Sequence, residues 1–107
     1  MIKKSRDIIK NAVKKGFIEW QRHALERMME RGISRDAVIE TLLNGEIIED
    51  CQDETPYPSA LFLGMDKKQP IHVVAAIDYL IGRCFVITAY RPDKEHFESD
   101  YKTRRKK

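Results

Sequence analysis

The spacing of apolar residues changes at Gly45, and this change constrains the fold more than any other feature of the sequence. Before Gly45, apolar residues recur every three or four positions, as they do on one face of a helix. After Gly45, short runs rich in Ile, Val, Phe and Tyr are separated by turn residues, as in an antiparallel sheet. The chain is therefore predicted to be an α+β protein.

Three helices are predicted before Gly45. The first covers Ser5 to Phe17, and the second covers Arg22 to Glu30. Ser34 begins the third helix, because its hydroxyl can accept a hydrogen bond from a free backbone N–H, and Gly45 ends it. The residues Ile18 to Trp20 are predicted to be a short extended connection.

Four antiparallel strands and a last helix are predicted after Gly45. The strands are placed near Glu46 to Cys51, Ala60 to Gly64, Ile71 to Asp78 and Arg83 to Tyr90, with residues 64–70 as a connection. The tail from Pro92 is predicted to be helical, with Asp93 as its cap and with Phe97 and Tyr101 on one side. The predicted fold has three N-terminal helices, a four-stranded antiparallel sheet and a C-terminal helix.

Length and composition bound the class of protein. The 107 residues are 42% hydrophobic, which is enough for one core and predicts a single domain over residues 1–107. No apolar run approaches the roughly 20 residues that span a bilayer, and the N-terminus lacks the apolar stretch of a secretory signal. We therefore expect a cytoplasmic protein with no membrane partner. Cys51 and Cys84 lie far apart and are predicted to be reduced.

Basic residues concentrate at the two ends of the chain. Residues 1–15 carry six basic side chains and one acidic one, and residues 102–107 carry five basic ones. The part between them carries nine basic and sixteen acidic side chains. Basic arms of this kind bind nucleic-acid phosphates, but terminal basic runs are also ordinary solvated tails. Charge alone leaves both interpretations open.

The second predicted helix carries one group of candidate residues. His23, Arg27 and Arg31 are four residues apart, so they form a polar ridge along that helix. A histidine in the first turn of a helix is shifted toward its neutral form, which suits a general base. Two arginines nearby can hold a phosphate and stabilise negative charge on it. The ridge is also compatible with a solvated helix face on which the arginines pair with Glu26 and Glu30.

The last two predicted strands carry the other group. Strict alternation gives the fourth strand one face with Phe85, Ile87 and Ala89 and another with Cys84, Val86, Thr88 and Tyr90. Opposed residues of antiparallel strands point to the same side, so His72 lies across from Tyr90 or Thr88. His72 and Tyr90 also have structural explanations, as a hydrogen-bonded sheet residue and a packing residue. A catalytic site formed by both groups requires that His72 and Tyr90 share a cleft with His23 and Arg27.

No metal or cofactor is predicted. The three histidines, His23, His72 and His96, and the two cysteines lack the locally spaced ligand pairs of a zinc site. The chain has no glycine-rich phosphate loop, no G-x-S-x-G elbow and no H-E-x-x-H pair. Nucleotide hydrolysis, serine hydrolysis and zinc proteolysis therefore have no local support.

Several separated blocks of the sequence match one bacterial family in order. The blocks are His23 to Ser34, Val38, Leu42, Gly45 to Ile48, Pro58, Ser59, His72 to Val74, Thr88 to Tyr90, Pro92 and Asp93. Over about residues 18–105 the chain resembles the domain-of-unknown-function family DUF4258. That family is similar in its layout to barnase and RelE-like ribonucleases, and it resembles toxins that are encoded beside small antitoxins.

The resemblance implies a function and a set of residues to test. It points to His23, Arg27, Arg31, His72 and Tyr90, which lie within the matching blocks. The first hypothesis is a metal-independent endoribonuclease of the toxin–antitoxin type, in which the 2′-hydroxyl of RNA attacks its own phosphate. His23 would act as base or acid, His72 or Tyr90 would complement it, and the arginines would hold the phosphate. The expected partners are an RNA substrate and a cognate antitoxin protein.

The second hypothesis is a non-catalytic binding module. In this interpretation the sheet face or the basic arms bind a protein partner or RNA without cutting it. The acidic centre of the chain favours it. No sequence feature indicates an oligomeric state.

Overall fold

The computed structural model describes residues 2–51, 57–93 and 97–104 of the chain. The three predicted helices are present as α1 (Ile2–Lys15), α2 (Arg22–Arg31) and α3 (Arg35–Asn44). The Ser34 hydroxyl accepts a hydrogen bond from the Ala37 N–H at 3.0 Å and caps α3, as predicted. None of the helices in the described ranges is long and apolar enough to cross a membrane.

Five strands form one mixed sheet. They are β1 (Ile18–Trp20), β2 (Glu46–Cys51), β3 (Ser59–Asp66), β4 (Gln69–Asp78) and β5 (Arg83–Tyr90). Their spatial order is β1-β5-β4-β3-β2, in which β2 to β5 form an antiparallel meander and β1 joins β5 in parallel. The prediction of four strands that are all antiparallel is therefore wrong.

The additional strand is the segment predicted to be an extended connection. Ile18 lies beside Cys84 and Trp20 beside Val86, and the Cys84 N–H donates a hydrogen bond to the Phe17 carbonyl at 2.9 Å. A segment of three residues shows too few alternations of apolar and polar side chains to indicate a strand. Its partner, moreover, is distant along the chain, so only the tertiary structure reveals the pairing.

The predicted C-terminal helix is also wrong. None of the described residues of this tail is helical, and its residues 94–96 lie outside the description. Phe97 and Arg104 form an antiparallel bridge, and the Asp100 carboxylate accepts hydrogen bonds from the N–H (3.0 Å) and the hydroxyl (2.9 Å) of Thr103. An aspartate that binds nearby backbone donors favours a turn over a helix. Phe97 is nevertheless buried, so its apolar character reflects packing on the sheet.

The helices cover one face of the sheet, and the hydrophobic core lies between them. The core includes Ala24 and Met28 of α2, Val38 and Leu42 of α3, Ile71, Val73, Ala75 and Ile77 of β4, and Cys84, Val86 and Ala89 of β5. Because side chains alternate along a strand, His72 points from β4 to the opposite face. The sheet therefore separates α2 from the environment of His72.

A β-bulge in β5 changes the predicted alternation. The pairing of β4 with β5 shifts between Val74 and Ala75, where Ile87 is the extra residue. Ala89 consequently joins Val86 in the core, whereas strict alternation predicts opposite faces for these two residues. Tyr90 pairs with His72, which points away from the helices, so it no longer shares a face with Cys84 and Val86 as alternation predicts.

A two-residue turn joins β3 to β4, whereas the sequence predicts a connection over residues 64–70. The turn residues are Lys67 (φ 53°) and Lys68 (φ 67°), both in the left-handed region. Tight hairpins of this kind usually carry asparagine and glycine, which tolerate positive φ. The missing turn signature explains why the strands are longer than predicted.

Close packing between β3 and α3 generates a first prediction. A Cβ atom at Gly64 would lie only 2.8 Å from the Cβ of Thr41, a residue that is buried in α3. We expect Gly64→Ala to lower the free energy of unfolding by about 1–3 kcal/mol, because the helix must shift to accommodate the methyl group. Urea denaturation measures this change.

Two further variants control this experiment. Met65→Ala changes the next residue, which is 61% exposed, and should alter stability by less than about 0.5 kcal/mol. Thr41→Ala combined with Gly64→Ala should recover part of the loss, because it removes the side chain in the way. If Gly64→Ala is as stable as the wild type, the close approach of Thr41 is wrong.

Candidate functional site

His72 is completely buried on the face of the sheet that the helices leave open. Its Nε2 lies 2.7 Å from the Tyr101 carbonyl oxygen, and its Nδ1 lies 3.2 Å from the Tyr90 hydroxyl. A carbonyl oxygen only accepts hydrogen bonds, so Nε2 carries the proton of a neutral imidazole and Nδ1 accepts from the tyrosine. Of the two predicted partners of His72, Tyr90 and Thr88, the structure has Tyr90, and the geometry defines the tautomer.

Both members of this pair are uncharged at neutral pH. Burial lowers the pKa of His72, and the hydrogen bond to the Tyr101 carbonyl opposes only part of that effect. The charge of Arg104 lowers the pKa further, and that of Glu49 raises it. Burial likewise raises the pKa of the Tyr90 phenol. The pair is therefore a neutral donor and a neutral acceptor.

The C-terminal segment covers His72. The Phe97 ring meets the imidazole edge to face, with centroids 4.6 Å apart, and the Arg104 guanidinium lies 5.0 Å from the Phe97 ring centroid. Arg104 also binds the Glu49 carboxylate of β2 through two hydrogen bonds of 2.6 and 3.0 Å. Lys102 pairs with Glu46 at 2.9 Å. Two of the basic residues in the predicted tail are thus bound to an acidic strand.

A pocket of about 500 Å³ lies at the end of β5, lined by Arg31, Tyr90, Arg91 and Asp93. Arg31 reaches it because α2 ends there: Gly32 adopts the left-handed conformation (φ 67°) that closes the helix. The Arg31 guanidinium then donates a hydrogen bond of 2.8 Å to the Ala89 carbonyl. The pocket is therefore formed where the last turn of a helix meets the end of a strand.

Besides Asp93, which was predicted only as a helix cap, one residue of this pocket was not predicted from the sequence, namely Arg91. Its Nη2 binds the Asp66 carboxylate at 3.1 Å, with side chains that are 29% and 14% exposed. Its Nη1 is buried and has no hydrogen-bond partner, the one such side-chain nitrogen or oxygen among the described residues. Buried polar groups are nearly always paired, so this atom requires an explanation. The sequence signal that could have indicated Arg91 is its position directly after a predicted strand.

The two other predicted residues of α2 do not reach the pocket. His23 and Arg27 are exposed, and Arg27 pairs with Glu30 at 3.3 Å. A helix rises about 1.5 Å per residue, so His23 lies roughly 12 Å along the axis from Arg31. The structure thus places Arg31 in one pocket with Tyr90, and His72 is hydrogen-bonded to that tyrosine. His23 and Arg27 lie on a solvated helix face, so the expected cleft that joins them to His72 and Tyr90 is not formed.

The described residues contain no group of three potential metal ligands, and His96 lies outside that part of the chain. The thiol of Cys84 is buried and free, and burial raises its pKa to about 12. A thiol with so high a pKa is a poor nucleophile or ligand. The side chains that line the pocket carry two guanidinium groups, a phenol and a carboxylate, from Arg31, Arg91, Tyr90 and Asp93.

Comparison with known protein families identifies the chain. The family model of the domain of unknown function DUF4258 matches residues 20–91. The chain belongs to the DUF4258 family. The match includes every residue that lines the pocket of this DUF4258 domain except Asp93. Searches of curated proteins and of solved structures found no significant match.

The neutral His72 predicts how the stability of this DUF4258 domain depends on pH. Because burial lowers its pKa below the usual 6.5, the unfolded chain binds a proton at His72 more readily than the folded one. The free energy of unfolding should therefore fall as the pH decreases from about 7.5 toward the lowered pKa. We expect His72→Gln to reduce this slope, measured as the urea midpoint across that pH range.

The slope, rather than the stability at one pH, is the informative quantity. His72→Gln also loses a buried hydrogen bond, so the variant should be less stable at every pH. His23→Gln replaces an exposed histidine and should keep the slope of the wild type. An unchanged slope in His72→Gln would show that His72 is not the group responsible.

Proposed function

We propose that this DUF4258 domain is a metal-independent endoribonuclease of the toxin type that cuts RNA at the pocket of Arg31, Tyr90, Arg91 and Asp93. The observation that carries the proposal is the buried, unpartnered Nη1 of Arg91, a residue that lines that pocket. A buried donor without an acceptor is costly, and a bound phosphate oxygen would satisfy it.

The other groups of the pocket suit an RNA strand better than a free anion. Arg31 adds a second guanidinium, and planar guanidinium groups match phosphate oxygens. Asp93 lines the same pocket, and its carboxylate repels a phosphate. A sugar hydroxyl can donate a hydrogen bond to that carboxylate, so a ligand with both phosphates and hydroxyls fits the pocket. The layout expected from the sequence, which is similar to that of small ribonucleases, supports RNA over other ligands of this kind.

Tyr90 and His72 can transfer the proton that the reaction requires. As the 2′-oxygen attacks the phosphorus, its proton passes to the Tyr90 oxygen, and the phenol proton passes to Nδ1 of His72. The bond to the 5′-oxygen then breaks and leaves a cyclic phosphate. Tyr90 returns a proton to the departing 5′-oxygen while His72 returns its own to Tyr90. Arg31 and Arg91 stabilise the negative charge on the phosphate.

Removing the Tyr90 hydroxyl tests this mechanism. Tyr90→Phe retains the ring but loses the proton carrier, so we expect cleavage to fall by about 10² to 10⁴. The assay uses labelled single-stranded RNA in the presence of a chelator, with thermal melting to show that the variant is folded. His23→Ala is the matched control, because the exposed His23 lies outside the pocket.

Two outcomes would contradict the proposed site. If Tyr90→Phe cuts RNA as fast as the wild type, the tyrosine carries no proton. If His23→Ala abolishes cleavage while Tyr90→Phe does not, the reaction takes place on the exposed ridge of α2.

The alternative function is a binding module for a protein partner or RNA, and one observation favours it. The turn between β4 and β5 exposes two large apolar side chains, Leu80 (96% exposed) and Ile81 (60% exposed). Exposed apolar groups that lie together often mark a protein-binding surface. Incubation with bulk RNA separates the functions: discrete fragments indicate an enzyme, retarded but intact RNA indicates an RNA-binding module, and no effect favours a protein partner.

A further inference from the structure

We infer that the two-lysine turn between β3 and β4 binds the RNA backbone beside the Tyr90 pocket. This inference rests on the proposed function, because it names further contacts of the same substrate. Lys67 and Lys68 have φ values of 53° and 67°. Residues other than glycine and asparagine rarely adopt this backbone region. The turn therefore carries two residues that its backbone conformation disfavours.

The turn lies at the same edge of the sheet as the pocket. β4 begins where β5 ends, since His72 pairs with Tyr90, and Asp66 pairs with Gln69 to close the hairpin. The Asp66 carboxylate binds Arg91 at 3.1 Å, so Lys67 directly follows the residue that holds the guanidinium of the pocket. An RNA strand with one phosphate at Arg91 can therefore place a neighbouring phosphate at the turn.

Nothing within the described structure explains why lysines occupy these positions. Both side chains are exposed, and neither forms an ion pair with a described carboxylate. Lys102 and Arg104 of the tail, by contrast, bind Glu46 and Glu49. Residues held in sparsely populated backbone conformations cluster at active sites and ligand-binding positions. The carboxylate nearest in the sequence is that of Asp66, and it is already bound to Arg91.

The unfavourable backbone conformation permits a sharp test. In Lys67→Asn combined with Lys68→Gly, two positive charges are lost while the turn gains the residues that suit its conformation. This variant should melt at or above the temperature of the wild type, so weaker binding cannot be attributed to unfolding. The probe is a labelled single-stranded RNA with methylated 2′-hydroxyls, which binds but cannot be cut.

We expect the asparagine–glycine variant to bind this probe about 10-fold more weakly or worse. The salt dependence should also change, because each lost phosphate contact reduces the slope of log K against log salt by about 0.7 for single strands. Loss of both lysines should therefore reduce the slope by about 1.4. Lys67→Arg combined with Lys68→Arg keeps the charges and should keep both the affinity and the slope.

Charge removal elsewhere is the matched control. Lys14→Gln combined with Lys15→Gln removes the same charge from exposed positions at the end of α1 and should leave binding nearly unchanged. The inference is overturned if the asparagine–glycine variant binds like the wild type, or if the α1 variant loses as much affinity. In the first case, weaker binding by Arg91→Gln would show that the pocket still binds RNA.

Failure of the proposed function would give a different experimental result from failure of the inference about the turn. A wild-type protein that binds the methylated probe through the turn but does not cut unmodified RNA contradicts the ribonuclease and supports the turn as a binding element. A wild-type protein that neither binds the probe nor cuts unmodified RNA overturns both.

Discussion

The hydrogen bonds of one buried imidazole hold together the face of the sheet that the helices leave open. Both ring nitrogens of His72 form hydrogen bonds within the protein, Nε2 with the Tyr101 carbonyl and Nδ1 with the Tyr90 hydroxyl. The first bond attaches the C-terminal segment to the sheet, and the second orients the tyrosine that lines the pocket. Because a buried imidazole with both nitrogens satisfied favours its neutral form, the same contacts determine the tautomer. The attachment of the C-terminal segment and the orientation of Tyr90 in the pocket thus both involve His72 of β4.

The fold could be predicted where local sequence decides the structure. Ser34 can cap a helix and Gly32 can end one by local hydrogen bonding, and the structure contains both features. The antiparallel strands follow from alternation and turn residues. The parallel β1 could not be predicted, because its three residues acquire a strand conformation only by pairing with the distant β5. The prediction of a C-terminal helix was wrong because it relied on the helical spacing of Phe97 and Tyr101. In the structure, the Phe97 ring and the Tyr101 carbonyl contact His72 from a segment that is not helical.

The candidate site, like the fold, could be predicted only where local sequence decides the structure. The period of two in a strand limits the partner of His72 to Tyr90 or Thr88, and the structure contains the first of these pairs. The bulge lies between this pair and the turn to β4, so Cys84 and Val86 face the helices instead of sharing the face of Tyr90. The spacing of α2 groups His23 with Arg31, but periodicity does not reveal which end of a helix reaches the edge of a sheet. Arg91 could not be assigned, since its role depends on Asp66, which belongs to another strand. Contacts between strand ends are tertiary, and no local pattern encodes them.

The distribution of charge in three dimensions differs from its distribution along the chain. The sequence concentrates positive charge at the termini, yet Lys102 and Arg104 are bound to the carboxylates of β2. Neutralised pairs on a surface attract a polyanion weakly, because each phosphate must compete with a carboxylate. Arg91 also binds a carboxylate, but its Nη1 has no hydrogen-bond partner, and Lys67 and Lys68 form no ion pair with a described carboxylate. The edge of the sheet at the end of β5 therefore offers a polyanion uncommitted donors, and the described part of the basic tail offers fewer than its composition suggests.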